Sequence, residues 1–431
     1  MKRLSFIILA LLAGLQLPAR AAIIGTNVPA QPLTFARIAT LPADQQPAWL
    51  DYLALSQRQK QADQNALRSE MNALGLKQPL LPPGGHSAKD VDLDQPAAWY
   101  GGQEARRVAD IIVSYQTPAG GWSKNLNMAK HLRAPGEAFA PDNNNRLSAP
   151  GDFDQAQDIH WHYVGTFDND ATITQLRFLA KVVAATGTNN LPYQTAFLRG
   201  VDYSLHAQYP NGGWPQVWPL EGGYHDTITI NDDAMLHVLT LMHDLAQGMD
   251  EFAWLPAATR AQAAVSFQRG LACLLAAQIR EPGGRLTVWC QQHDALTLQP
   301  ASARNYEMPS ATSSESAEIV LFLMQLPHPD SNVITAVRAA VAWFDKTKIM
   351  GVAYKRTGGE RQLVAAPGEG PIWARYYELG TDRPIFGDRD KTIHDTVSEL
   401  SLERRNGYGW YRDSPKRVLE HYRRWSQENG G

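Results

Sequence analysis

The sequence predicts an all-α protein: an (α/α)3 toroid, or α/α barrel, with long irregular loops and few short strands. Two observations carry this. A helix-and-loop unit recurs three times, and the helices around it alternate between amphipathic and almost uniformly apolar. The unit is clearest in Ala109–Trp122, ADIIVSYQTPAGGW, and Asp202–Trp214, DYSLHAQYPNGGW. Leu271–Trp289, LACLLAAQIREPGGRLTVW, is a looser copy. Each is an apolar helical run ending in Gln, then a Gly-Gly turn, then Trp. Repeats of this kind stack into rings or solenoids, because no single unit buries its own apolar face.

Gln103–Gln116, Tyr193–Gln208, Arg260–Gln278 and Ile334–Phe344 place apolar residues at helical spacing and charges on the other face, as expected of an outer layer. The segments ATITQLRFLAKVVAAT, AMLHVLTLMHDL and SAEIVLFLMQL are apolar nearly all round and are expected inside. Strand signals are sparse; Arg285–Cys290 is the best short candidate.

A polar cluster opens each inner helix: Asp168-Asn169-Asp170, Asn231-Asp232-Asp233 and Ser313-Ser314-Glu315. Helix capping is the simplest role for Asp170, Asp233 and Ser314. One residue suffices for a cap, however, and three polar residues in a row exceed that need. In a ring the three clusters share one end. Carboxylates at helix N-termini there suit a cation that bridges to an anionic ligand. Oxygen donors favour Ca2+ over softer metals. The Gly-Gly-Trp loops either turn the chain and plug the ring wall or present indoles for stacking on sugar rings. Basic groups lie in the second half: Arg304 just before the third cluster, then Arg375, Arg383 and Arg389. Guanidinium forks pair with carboxylates. Carboxylates, arginines and aromatics together point to an acidic polysaccharide.

Met1–Ala21 has the form of a secretory signal: Lys2 and Arg3, the apolar run Phe6–Leu17, and a small-x-small site ending at Ala21. An exported protein is expected, cleaved near Ala21 and either secreted or periplasmic, with no membrane anchor. Loss of Lys2, Arg3 and Arg20 takes the formal charge from −3 to −6, which disfavours nonspecific nucleic-acid binding. Cys273 and Cys290 are open between one disulfide and two buried thiols. The expected organisation is a leader at 1–21, an N-terminal helical extension with a Pro/Gly linker at 22–95, and one catalytic domain at 96–431.

At the level of motifs the chain resembles family 10 polysaccharide lyases. The resemblance rests on GGWSKN (Gly120–Asn125), TFDNDATITQLRFLAKV (Thr166–Val182), YPNGGWPQVWPL (Tyr209–Leu220) and ITINDDAM (Ile228–Met235). ARNYEMPS (Ala303–Ser310), WARYYELGTDRPIFGDRD (Trp373–Asp390) and RRNGYGWY (Arg404–Tyr411) extend it. It covers roughly Trp99–Trp425. Ser123 departs from the proline expected there and leaves Lys124 in register. The resemblance implies a pectate lyase with an (α/α)3 toroid, cleaving polygalacturonate by Ca2+-assisted β-elimination to 4,5-unsaturated oligogalacturonides. It implies Arg304 as the base and Asp232 as a Ca2+ ligand. Asp168 and Asp170 correspond to the acidic pair around the substrate-bridging Ca2+, and spacing leaves open which of them binds the ion. Lys124, Arg375 and Arg389 are implied to bind uronate carboxylates. A monomer is expected. A competing class is a non-catalytic acidic-polysaccharide binder on the same scaffold.

Overall fold

The computed structural model describes residues 23–86, 90–144, 148–187 and 191–429. The expected leader, 1–21, lies outside these residues. Helix dominates. The α-helices are α1 (Phe35–Ile38), α2 (Gln46–Ala73), α3 (Gln103–Ser114), α4 (Ile173–Thr186), α5 (Leu191–His206) and α6 (Ala234–Gln247). They continue with α7 (Ala257–Ala276), α8 (Ser314–Gln325), α9 (Ser331–Thr347), α10 (Leu402–Gly407) and α11 (Ser414–Glu428).

The two classes of helix follow from their sequences. In α3 the residues Ala105, Val108, Ile111 and Ile112 are buried, while Arg106, Arg107 and Asp110 face outward. That spacing makes one apolar stripe. In α4, α6 and α8 burial runs round most of the surface. α4 packs against both α3 and α5, α6 against α7, and α8 against α9 and α11. Outer and inner helices therefore alternate.

The repeat is held by two side chains. The Gln116 amide donates to Gly120 O at 2.8 Å and to Ala196 O at 2.8 Å. Gln208 does the same with Gly212 O and Ser266 O, both at 2.9 Å. Gln278 reaches Thr287 O at 2.8 Å and Ala336 O at 3.0 Å. Each glutamine thus ties its own loop to the next outer helix. The indole of Trp122 returns to Ile112 O at 2.8 Å, that of Trp214 to Ser204 O at 2.9 Å, and that of Trp289 to Leu274 O at 2.7 Å. A fourth copy joins them: Trp373 donates to Phe344 O, in the last turn of α9, at 2.9 Å. All four rings are fully buried. These four indoles are buried in the core, and none of them is left for stacking on a sugar.

The glycines of the first two loops are sterically required. Gly120 and Gly212 have φ of +108° and +98°, and a Cβ there would lie 2.4 Å from Arg199 O and 2.2 Å from Arg269 O. In the third copy Gly283 and Gly284 meet open space, so they only turn the chain. Arg285–Cys290 is not a strand. Thr287 and Val288 spend their backbone bonds on Ile279, which closes the loop, and the nearest strand is Gln292–His293.

Short strands stitch the loops. Ile23–Thr26 pairs antiparallel with Thr392–His394, which also pairs with Phe386–Gly387. Ala311–Thr312 pairs with Tyr376–Tyr377. The longest strands, Val352–Thr357 and Glu360–Ala365, form a hairpin between α9 and Trp373.

The N-terminal region shares the main core. Trp49, Tyr52 and Leu53 belong to the same apolar cluster as Trp122 and Trp214. The rings of Trp49 and Tyr52 lie 5.3 and 4.9 Å from that of Tyr209. Tyr52 donates to Ala207 O at 3.0 Å, and Ser56 accepts from Leu220 N at 2.8 Å. Cys273 and Cys290 are separate, buried free thiols. No helix among the described residues is long and apolar enough to cross a membrane.

Candidate active site

The first two polar clusters are 3-10 turns that pack against each other. Asn169, Asp170 and Thr172 have φ of +52°, +62° and +65°; Asp232 and Asp233 have +50° and +57°. Left-handed backbone costs on the order of 1 kcal/mol per residue outside glycine, and Asn and Asp tolerate it best. Capping does not explain these residues. α4, α6 and α8 begin without a side-chain cap, whereas α1, α9 and α10 use Thr34, Asp330 and Ser401.

The left-handed turns aim the carboxylates differently. Asp168 is buried. Its Oδ2 accepts from Lys124 Nζ at 2.6 Å, while its Oδ1 is buried with no hydrogen-bond partner. The Lys124 ammonium also sits 3.4 Å above the Tyr163 ring. Asp170 is half exposed, with its Oδ1 2.9 Å from His237 Nδ1. Asp232 accepts from Asn231 Nδ2 at 2.8 Å. Burial first, then repulsion from Asp168 and Glu315, pushes its carboxyl up to about 6, against the pull of Arg375 and Arg304. Asp233 is pushed up to about 7 by burial, with Glu315, Glu318 and Asp232 adding to it and His237 opposing. Buried Asp168 and Asp232, whose residue still reaches solvent, thus form a crowded pair, and Asp168 Oδ1 lacks a donor.

The arginines are each tied to a carboxylate. Arg375 donates to Glu315 through Nε at 2.9 Å and through Nη2, and to Asn231 Oδ1 at 3.1 Å. Arg304 grips Glu307 with Nε at 2.8 Å and Nη2 at 2.5 Å. Burial alone would lower the Arg304 pKa; Glu307, helped by Tyr306 and Tyr408, outweighs it and holds the guanidinium well above its ordinary value. Arg389 and Arg404 share Glu403. Three guanidinium carbons surround one ring: Arg404, Arg304 and Arg389 lie 4.3, 5.1 and 5.5 Å from the Tyr306 centroid.

Backbone contacts fix the Arg304 loop. The Asn27 amide donates to Arg304 O at 3.2 Å and Asn305 O at 3.0 Å, and its Oδ1 accepts from Ser302 at 2.8 Å. Gly387 lies so close that a Cβ would meet Tyr306 O at 2.4 Å.

The sequence-predicted residues therefore sort as follows. Asp168, Lys124, Asp232, Arg375 and Arg304 interact with one another, directly or electrostatically. Arg389 joins through Tyr306. Asp170 turns to His237. The sequence reasoning placed Glu315 in the third cluster without its arginine partner, and it missed Glu307, Tyr306, Tyr408, Arg404 and Asn27. Glu307 had a signal, lying three residues after Arg304; Asn27 had none.

This geometry, with helical pairs carrying a carboxylate cluster faced by guanidinium groups, is that of a protein built for an acidic chain. The profile of the Pectic acid lyase family matches residues 116–419. A family 10 polysaccharide lyase from Cellvibrio cellulosa is 32% identical over 80% of this chain and 99% of its own, with a TM-score of 0.63. An aspartate-to-alanine mutant of a family 10 lyase from the same organism, in complex with trigalacturonic acid, is 31% identical over 80% of this chain and 96% of its own, with a TM-score of 0.64. Among curated protein sequences no significant match is found. The chain belongs to the pectic acid lyase family, the family 10 polysaccharide lyases.

Proposed function

We propose that the protein is an exported pectate lyase acting on polygalacturonate by β-elimination on an (α/α)3 toroid. The observation that carries this reading is the pairing of buried Asp168 with solvent-reaching Asp232, with Lys124, Arg304 and Arg375 around them. A buried carboxylate oxygen without a donor, beside a second carboxylate that resists ionisation, is an all-oxygen set suited to Ca2+. Asp168 and Asp232 would hold it, and Asp170 is the less suited of the acidic pair because it is turned to His237. When bound, Ca2+ supplies positive charge to a uronate carboxylate and so acidifies the neighbouring C5–H.

The chain's own groups do the rest. Lys124 and Arg389 receive uronate carboxylates. Arg375 holds Asn231 and Glu315 beside Asp232 and adds its charge to the site. Arg304 takes the C5 proton. The electron pair left behind forms the C4=C5 bond, the C4–O4 bond breaks, and water protonates the departing oxygen. Glu307 keeps Arg304 protonated at rest, so turnover needs the small neutral fraction and an alkaline optimum follows. The proposed organisation is a cleaved leader at 1–21, an extension at 22–95 and a catalytic unit at 96–431, working as a monomer.

The test is ultraviolet absorbance of the unsaturated uronate during incubation with polygalacturonate and Ca2+. Absorbance should rise, and stop with EGTA and in Arg304→Ala. Tight binding of the polymer without any absorbance would make the protein a binder instead. A product without the double bond would make it a hydrolase.

A further inference from the structure

A second cluster lies beside the Lys124–Asp168 pair, where the long loop between α3 and α4 meets the turn after Leu220. His162 and His225 come within 3.6 and 3.5 Å of the same atom, Asp154 Oδ1, each through Nε2. The three ligand atoms lie within 4.8 Å of one another. Both imidazoles are buried, and both Nε2 atoms lack a hydrogen-bond partner.

The opposite ring nitrogens decide the tautomers. His162 Nδ1 meets Glu221 Oε1, and His225 Nδ1 lies 3.3 Å from Gly222 O. A backbone carbonyl only accepts, and a carboxylate accepts when ionised. Both Nδ1 atoms therefore carry hydrogen, and in the neutral imidazoles both Nε2 atoms turn lone pairs toward a carboxylate oxygen. In that state three acceptors converge with no donor among them. This is the arrangement of metal-ligating histidines, whose remote N–H goes to a carboxylate or a backbone carbonyl. The spacing agrees. Two ligands about 2.1 Å from one zinc ion, at tetrahedral to trigonal angles, sit roughly 3.4–3.6 Å apart. A direct N–H···O bond would close to about 3 Å.

We propose that Asp154, His162 and His225 form a binding site for a divalent transition-metal ion of the zinc type. Two imidazole nitrogens and one carboxylate select such an ion over Ca2+, so this site is chemically separate from Asp168 and Asp232. Two neutral imidazoles and a dication also balance the Asp154 and Glu221 carboxylates. Tyr224 and Tyr163 reach Asp154 Oδ1 at 2.7 and 3.3 Å and complete the surroundings. The ion's role is positional. Asp154 and His162 sit on the long loop, and His225 sits on the turn after Leu220. Phe153 N donates to Asn305 Oδ1 at 2.9 Å, next to Arg304, and Tyr163 lies under the Lys124 ammonium. One ion therefore staples a loop that touches both proposed substrate-binding and base residues.

The test uses tag-free full-length protein, stripped with a chelator and titrated calorimetrically with Zn2+ alone, without substrate. One tight equivalent per chain is expected. Thermal stability should rise on Zn2+ addition, and Ca2+ in excess should not compete. His225→Gln and Asp154→Asn should each weaken binding at least 100-fold, while Arg304→Ala should bind zinc normally, which separates this inference from the lyase reading. Co2+ in place of zinc should give a visible ligand-field spectrum. The proposal falls if stripped wild-type protein binds zinc no better than His225→Gln. It also falls if zinc leaves the melting temperature unchanged; protons on the two imidazoles would then fill the site.

Discussion

At the scale of single residues, the pairing of Arg304 with Glu307 sets the chemistry. A base must lose its proton, and Glu307 opposes that loss. Glu307→Gln removes the opposing charge, so the alkaline rise of kcat should move to lower pH by about one unit or more. Arg304→Lys should lower kcat at least 100-fold with little change in KM, because the group acts on the reacting proton rather than on binding. Asp232→Asn should raise the Ca2+ concentration needed for half activity by 10-fold or more. Asp168→Asn should do the same and also release Lys124. Partners at this scale were unevenly legible. Arg304 and Glu307 lie within one short motif, whereas Arg375 and Glu315 are separated by 60 positions and meet only through the fold. Asp154, His162 and His225 form no sequence pattern, because a loop and a turn bring them together.

At the scale of elements, helices were legible and strands were not. The alternation of amphipathic and apolar runs records which face is buried, so seven helices of the repeated layers fall within a few residues of expectation. Most strands have only two residues, too few for any alternation to show. The fourth Trp was hidden by the inserted hairpin at Val352–Ala365, which lengthens its loop. The repeat makes a stability prediction. In Gln208→Leu, the carbonyls of Gly212 and Ser266 lose their buried donor. About 2–4 kcal/mol of stability should go, read as a lower denaturant midpoint with an unchanged slope. Gly212→Ala should be at least as severe, whereas Gly283→Ala faces no clash and costs only the strain of its positive φ, on the order of 1 kcal/mol.

At the scale of the whole molecule, the region before residue 96 and the family-matched stretch share one apolar core. Asp63 on α2 shows the coupling. Burial pushes its carboxyl up to about 7, with Gln59 opposing, and its Oδ2 has no partner. The folded pKa lies above the unfolded one, so the folded state binds the extra proton. Stability from this group falls as pH rises from about 4 to 7, and the full penalty is present above 7. Asp63→Asn should therefore raise the melting temperature at pH 9 and change it much less at pH 5, as calorimetry at the two pH values would show. A chain shortened to 96–431 would expose the partners of Trp49 and Tyr52 and should aggregate, as light scattering would show.

The glutamine and tryptophan clips have a consequence for how such a molecule diversifies. They point into the core and donate only to main-chain carbonyls, whose positions do not depend on which side chains follow. The residues that follow each tryptophan can then be exchanged with little effect on the scaffold. Lys124 after Trp122 and Arg375 after Trp373 are two outcomes of that freedom. Selection can rewrite the chemistry one unit at a time while the frame stays constant.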